Sequence, residues 1–579
     1  MSTGLTIKWG MLSGGGKLEE RERGIRPSIL YALSLVGFAI VVASSIGHEV
    51  QVIPVDTPFG LLGMLPPAYW IGMLIMLLSL ALGFKRGAEG LFFFQSALVF
   101  LALWGAPTMF ERFPSTWDTT MHYYSSLEIA RAGAMPTDPS FAYAFNYPGF
   151  FVLGSSYIVM ADPPAILFLR AWSLFAALFT VAAIYLFVRT YVPGADYRLA
   201  FLISAFANVW LQFNFSPQSM GLAAGLLIFV CLEREGTEWR LASIGLFTFV
   251  VVAHPTTLIF VLGAILLKEV AGRLYRLIVG RHKPIRWDRP WPLGAFILIW
   301  IGWLLTGSAS FSRGIAEFIA ERLSYIMYAG QTVVEQVAMR TSPENVLGAI
   351  YSQVRLGSVA MFAGATLLAL LVLLYYRKKD PRVVPSNILA LFLMPILIVP
   401  LDTLFFNGQL YDRGLLYLML VAPIIFVPLL IGRAGRYVRP ALTVLAVLIV
   451  VAAASTMFYQ ESLYVSSERS VAASDYLSNR GPDTYVVGGF YPYDVWSDTP
   501  EQYQRIKFNT AYGSDEKAES INNLTLYFGR GGYLFDHTSE LWYRQWGVHH
   551  MYAFYEEQIG QHYRVYDNGD HYVVYSRGR

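Results

Sequence analysis

Apolar runs of about 18–22 residues recur along most of this chain, the length an α-helix needs to cross a lipid bilayer. They fall at roughly 28–47, 67–84, 89–109, 164–189, 198–214, 219–233, 240–253, 256–275, 292–307, 357–376, 385–401, 413–432 and 438–457. No soluble core uses so many such segments. Of the 579 residues, 55% are apolar and only 14% charged, which leaves too little polar surface for a water-soluble protein of this size. The expected fold is mainly α, a polytopic transmembrane helical bundle of about 13 spans.

Cytoplasmic loops collect Lys and Arg, so the basic residues set the orientation. Lys85-Arg86, the stretches Arg189 to Arg198, Arg234 to Arg240 and Arg281 to Arg286, then Arg377-Lys378-Lys379 and Arg433 to Arg439 all fall on one side. An odd number of spans places segment 1–27 in the cytoplasm, a transmembrane domain over 28–457, and 458–579 outside, in a multi-pass cell-membrane protein. The first apolar run follows a charged stretch, Lys17 to Arg26, without a small-residue cleavage site, and reads as a retained span. A dispersed net charge of +3 gives no footprint for nucleic acid. The one cysteine, Cys231, lies in an apolar run, so no intramolecular disulfide forms.

Two outer loops and a tail result. The first loop, 110–163, contains Tyr147 to Met160, apolar but too short to span, and expected to be re-entrant or interfacial. In the second, 308–356, Phe311, Ile315, Phe318, Ile319, Leu323 and Ile326 recur at helical spacing opposite Arg313, Glu317, Glu321 and Arg322, as in an interfacial amphipathic helix. The tail reads as a small extracytoplasmic α/β domain. It has a helix over Glu468 to Asn479, a strand from Thr484, and two strand-like runs flanking Asp567-Asn568-Gly569-Asp570, a tight-turn sequence.

Ionisable groups beside a bilayer are costly and are usually kept for function. Asp118 and His122 stand one helical turn apart in the first loop, so a helix there presents both on one face. A carboxylate so placed accepts a proton from an incoming hydroxyl, with the imidazole assisting; alternatively Asp118 caps a helix starting at Thr119. The order Trp117-Asp118, Tyr123-Tyr124, Glu128-Ile129-Ala130, Gly133 and Tyr147-Pro148-Gly149-Phe150 resembles the first outer loop of the GT-C superfamily. These membrane glycosyltransferases use polyprenyl-phosphate-linked sugars and include aminoarabinose transferases and protein O-mannosyltransferases. Phe215-Ser216-Pro217-Gln218-Ser219 and Ala253-His254-Pro255-Thr256-Thr257 extend the likeness, which covers about 110–260 and is architectural beyond. It implies that Asp118 is the catalytic base or acceptor-binding group. The chain departs from the pattern at Gln218, where many relatives carry an acid, and at Tyr147, where aminoarabinose transferases carry lysine. There is no Trp-Trp-Asp motif and no Asp-x-Asp, so no metal ligand is assigned and a divalent-metal requirement stays open.

A departing polyprenyl phosphate needs cationic stabilisation. Arg413, in Tyr411-Asp412-Arg413-Gly414, is the leading candidate because its fork matches phosphate; Arg170 and Arg355 are the others. Alternatively, each simply snorkels to the headgroups. His254, Gln218, Tyr147 and Asp412 are candidates for sugar or acceptor binding, with Asn214 in reserve. Asp402, near Asn407 and Asp412, could supply a further carboxylate. His-Pro is also an ordinary helix break, and polar residues at helix ends are common. Asn523-Leu524-Thr525 is a glycosylation sequon, and aromatic residues in the tail could stack on sugars. No zinc-site spacing or nucleotide-binding glycine motif is present.

These readings converge on an inverting glycosyltransferase. It would move a sugar from a polyprenyl-phosphate donor to a lipid, glycan or protein acceptor on the outer face, with Asp118 as base and membrane lipids as its surroundings. A single displacement needs one base and no covalent intermediate. Two competitors are a transporter or flippase for a lipid-linked or polar solute, which would place its polar residues near mid-membrane, and a non-catalytic scaffold with the tail as binding module.

Overall fold

The computed structural model describes residues 26–279, 291–310, 346–376 and 384–459, less gaps at 52, 55–56, 85–87, 114–116, 136–141, 193, 406–409, 433 and 436. Positions between 313 and 320 and four strand segments beyond 483 are also described in part. Helices α1 (Pro27–Ser45), α2 (Pro67–Gly83) and α3 (Glu89–Trp104) lead to a short α4 (Ala106–Phe110). The first outer loop then supplies α5 (Trp117–Ala132), α6 (Ala142–Asn146) and α7 (Gly149–Ala161). There follow α8 (Ala165–Tyr191), α9 (Asp196–Phe206), α10 (Pro217–Leu232), α11 (Thr237–Ala253), α12 (Pro255–Val279) and α13 (Trp291–Thr306). The last helices are α14 (Val346–Tyr376), α15 (Ser386–Phe405), α16 (Tyr411–Phe426) and α17 (Val438–Ser455). Each apolar window of the sequence except 198–214 is met by one of these helices. Five segments, Pro27–Ser45, Ala165–Tyr191, Val346–Tyr375, Tyr411–Ile431 and Val438–Ser455, are long and apolar enough to cross a membrane. This is a helical membrane protein.

Helix ends follow local chemistry. Proline opens α2, α10 and α12, where its missing N–H costs nothing and its fixed φ suits the first turn. Asp162 closes α7 in the left-handed region, φ 40°, directly before Pro163. That fixes α7 at 13 residues, short for a span, as its sequence led one to expect.

The window at 198–214 is different. Helix α9 stops at Phe206 after 11 residues, and the chain to Ser216 is irregular although Val209, Trp210, Leu211, Phe213 and Phe215 are buried. Asn208 takes over the backbone's partners there. Its Nδ2 donates to the Leu416 carbonyl at 2.9 Å, and its Oδ1 accepts from the Trp210 N–H at 3.4 Å. Apolarity thus reports burial at this point, not helicity. Helix α14 starts at Val346, well before the expected 357, and so takes in the end of the second outer loop. Most of the expected amphipathic segment lies outside the described residues.

Helix α16 continues as a π-helical turn, Val427–Ile431, and forms the centre. Of its spanning window 89% is buried, against 11% for α17 and 22% for α1, which therefore sit at the rim. Helices α9, α14 and α15 pack around α16. At the rim, α1 and α2 approach at Gly37 and Gly72, where a Cβ on Gly37 would stand 2.7 Å from the Gly72 carbonyl oxygen.

Alternating direction sends the loops before α5, α8, α10, α12, α14 and α16 to one end of the bundle. The opposite end is closed by polar contacts of basic residues: Arg189 Nε donates to Glu89 Oε1 at 2.7 Å, and Arg439 Nη2 to Asp196 Oδ1 at 2.8 Å. In the tail, β1 (Thr484–Val486), β2 (Gly532–Asp536), β3 (Tyr563–Asp567) and β4 (His571–Tyr575) form a sheet in the order β1-β2-β4-β3. Strands β3 and β4 pair antiparallel around the Asn-Gly turn sequence, with an irregularity between Arg564 and Tyr566.

Candidate functional site

Helix α5 begins at Trp117, so Asp118 stands inside its first turn rather than ahead of it. An acidic residue there suits the positive end of the helix dipole. The Asp118 side chain lies outside the described residues; His122, one turn later, is well placed. Its Nδ1 lies 3.2 Å from the Phe215 carbonyl oxygen. A carbonyl only accepts, so Nδ1 carries a proton. Tyr143, Phe150 and Phe151 surround the imidazole, with ring centroids at 6.1, 6.2 and 5.5 Å. Phe215 is itself fully buried against Phe150, Phe168 and Trp172. The aromatic packing of α7 and α8 therefore holds the carbonyl that orients His122.

His254 is the single residue between α11 and α12. The backbone N–H of Thr257 donates to its Nδ1 at 3.3 Å, and the Thr257 hydroxyl lies 2.7 Å from the same atom. Thr256 Oγ1 stands 3.0 Å from Nε2. Gly221 of α10 packs directly beneath: a Cβ there would come within 2.9 Å of Thr257 Oγ1 and 3.3 Å of Nδ1. Burial pushes the His254 imidazole well below the usual histidine range, to about 3, and the charges of Arg413 and His122 push the same way. That mutual influence brings α5, the α11–α12 break and the head of α16 into one neighbourhood. Gln218, one turn before Gly221, is 8% exposed, and its amide oxygen has no partner among the described residues.

Arg413 occupies the first turn of α16, with Asp412 beside it. Asp402, at the end of α15, is fully buried; its carboxylate faces the backbone amides of Leu410 and Tyr411 and feels the Arg413 charge. Arg355 of α14 reaches the same region from the other side. Its guanidinium lies 5.1 Å from the Trp210 ring centroid and 5.6 Å from that of Tyr459, held by cation–π contact. Burial pushes the Tyr459 phenol above its ordinary value, opposed by the Arg355 charge. Arg355 also acts electrostatically on Tyr411.

The structure therefore brings together His122, His254 and Arg413, with Arg355 and Asp412 around Tyr411 at the head of α16 and Gln218 one turn from Gly221 beneath His254. Two other sequence candidates are engaged elsewhere. Arg170 Nη2 donates to the carbonyls of Glu111 and Arg112 at 2.6 and 2.9 Å, tying down the chain beyond α4. Tyr147 lies within hydrogen-bonding range of Ser308, and burial pushes its phenol up to about 12. Next to it, the Asn146 carbonyl accepts from Trp303 Nε1 at 3.1 Å and Asn146 Oδ1 from the Ser310 hydroxyl at 2.9 Å. The Asn146 to Gly149 turn is thus fastened to the end of α13. Glu128 and Arg131 pair with each other at 3.5 Å, an exposed contact worth little. Thr256, Thr257, Trp210 and Tyr459 join the site without having been singled out; the threonines' adjacency to His254 was the available signal. Among the described residues no three His, Cys, Asp or Glu side chains stand close enough to share a metal ion.

Chemically, the neighbourhood offers two half-buried guanidinium groups, a neutral imidazole at His254 and a second imidazole at His122. Such cations favour an oxyanion that leaves water to reach them.

No protein-family model and no curated protein matches the chain. Among solved structures, it is similar to the oligosaccharyltransferase of Archaeoglobus fulgidus, with 13% identity over 77% of this chain and 67% of that one, at a TM-score of 0.44. It is also similar to ArnT from Cupriavidus metallidurans, with 12% identity over 83% of this chain and 97% of that one, at a TM-score of 0.36. At these scores neither likeness assigns a family or an activity.

Proposed function

We propose that this protein is a GT-C-type membrane glycosyltransferase, transferring a sugar from a polyprenyl-phosphate donor to a hydroxyl acceptor. The observation that carries the reading is the convergence of His122, His254 and Arg413, from three separate parts of the chain, at the bundle end away from the basic loops. Arg189, Arg198, Arg234, Arg240 and Arg439 gather at the opposite end, which by the positive-inside rule faces the cytoplasm. The site then faces outward, with the N-terminus inside and the residues after α17 outside.

In the proposed reaction Asp118 accepts the acceptor's hydroxyl proton as that oxygen bonds to the anomeric carbon. The bond from that carbon to the phosphate oxygen breaks on the opposite face, so configuration inverts. The electron pair leaves with the phosphate, whose second negative charge is balanced by Arg413, with Arg355 on its far side. His122 orients Asp118, one turn earlier on α5. Donor phosphate would meet half-buried guanidinium groups, where each contact counts for more than in water.

The test is release of polyprenyl phosphate from candidate polyprenyl-phosphate sugars by the purified protein. Asp118→Asn should abolish release without lowering the melting temperature, and Arg413→Ala should reduce it about a hundredfold. Normal turnover by Asp118→Asn refutes its role as base. Counterflow of a solute into proteoliposomes with no sugar released would favour a transporter instead.

A further inference from the structure

Tyr459 stands past the last residue of α17, yet its ring centroid lies 5.6 Å from the Arg355 guanidinium. What holds that ring comes from far away in sequence. The loop between α1 and α2 turns at Phe59 and Gly60, both at positive φ, 64° and 56°. Gly60 lies on the backbone of 458–459, where a Cβ would collide with the Phe458 carbonyl and come within 2.9 Å of Tyr459 Cα. Glycine adopts such a φ freely, but phenylalanine does so at a cost. A bulky residue stays there only where its surroundings impose it. Here the imposing group is Tyr351 of α14. Its hydroxyl accepts from the Phe59 N–H at 2.8 Å, and its ring centroid lies 5.4 Å from that of Tyr459. Tyr351 is 8% exposed and stands one helical turn before Arg355, on the same face of α14.

We propose that Tyr351 is a positioning residue: its hydroxyl pins the Phe59–Gly60 turn against Tyr459, and the two tyrosines together fix the Arg355 guanidinium for the donor phosphate. The proposal rests on the glycosyltransferase reading and adds to it the groups that orient one of its cations. Three observations carry it. The Tyr351 hydroxyl is bonded to the amide of a residue whose φ needs such a constraint, so the bond shapes the turn rather than merely satisfying a buried donor. The contacts close on themselves, running from Arg355 to Tyr459, to Gly60 and Phe59, to Tyr351, and back along one turn of α14. Arg355 Nε is buried and makes no hydrogen bond among the described residues, so the plane of the guanidinium is set by the rings of Tyr459 and Trp210, the latter 5.1 Å away. A guanidinium held through ring faces keeps its edge N–H groups for an oxyanion, and loss of one ring turns that edge away.

The experiment measures equilibrium binding of a short-chain polyprenyl phosphate, which carries no sugar, to the full-length protein in detergent. Tyr351→Phe keeps the ring and removes the hydroxyl; it should weaken binding about fivefold. The same change in an Arg355→Ala background should weaken it no further, since both act through one guanidinium. Phe59→Gly keeps the N–H and suits the positive φ, so it should bind within about twofold of the native protein. Phe59→Pro has no N–H and cannot adopt that φ, and should match Tyr351→Phe. Native affinity in Tyr351→Phe would overturn the proposal. So would an equal loss with and without Arg355, which marks a general loss of packing, or a Phe59→Gly variant as weak as Phe59→Pro. If Tyr351→Phe binds as native while Arg355→Ala and Arg413→Ala both lose binding, this inference fails and the glycosyltransferase reading stands. If the native protein binds no polyprenyl phosphate, both fall together.

Discussion

His254 shows how one side chain's surroundings settle its chemistry. Its ionisation is held near 3 in the folded protein, against about 6.5 for an ordinary histidine. Between those values the unfolded chain binds a proton that the folded chain refuses, so acid favours unfolding there, and the stability from this group is fully present only above about 6.5. Melting temperature should therefore fall as pH is lowered from 7 toward 5, and His254→Gln should flatten part of that slope. An unchanged slope in the variant would mean that His254 already titrates in the folded state. The same residue marks what sequence could and could not disclose. Residue types nominated His254 and Arg413, because a ring and a guanidinium at helix ends are conspicuous in an apolar chain. They could not show that the imidazole is held by Thr257, nor that Arg170 spends its guanidinium on the Glu111 and Arg112 carbonyls. A free cation and a loop clamp look alike as letters.

At the scale of elements, the His254 break depends on the helix beneath it. Helix α10 can approach only because position 221 has no side chain. Gly221→Ala would place a methyl group 2.9 Å from Thr257 Oγ1, so the threonine must move or the helices separate. The cost is about 1–3 kcal/mol by the usual penalty for overpacking. Polyprenyl phosphate binding should weaken with it, read by thermal melts and titration of the same variant; a silent Gly221→Ala would show that the packing is looser than drawn. Helix locations were largely legible from apolar windows, since a spanning helix cannot hide its length. The exception, Ala207 to Ser216, was not. Its apolar residues are as buried as those of a helix, and only the hydrogen bonds of Asn208 and the rigid Pro217 reveal that the chain turns there. That irregular stretch supplies both the Phe215 carbonyl for His122 and the Trp210 ring for Arg355.

Across the whole molecule, polar chemistry is divided between the two ends, and the proposed orientation can be tested directly. The chain has a single cysteine, Cys231, which is buried. In a Cys231→Ser background, Ala132→Cys lies exposed at the site end and Glu235→Cys exposed at the basic end. A membrane-impermeant maleimide applied to intact cells should label the first and spare the second until the cells are opened. The reverse pattern would put the site in the cytoplasm and remove any role for an outer-leaflet donor. The expected orientation comes from the distribution of arginines alone, a bias of composition rather than of packing. How helices around α16 assemble a site was not readable, since contacts such as that of Asn208 with the Leu416 carbonyl join residues 208 positions apart.

Helix α17 hangs on the perimeter with most of its surface toward lipid, and the polypeptide leaves it through Tyr459, whose ring rests on the Arg355 guanidinium. The portion from 460 to 579 is accordingly hitched, through one aromatic ring, to a cation of the proposed site. Under the proposed reading, a load on that portion would be felt at the Arg355 guanidinium through the Tyr459 ring.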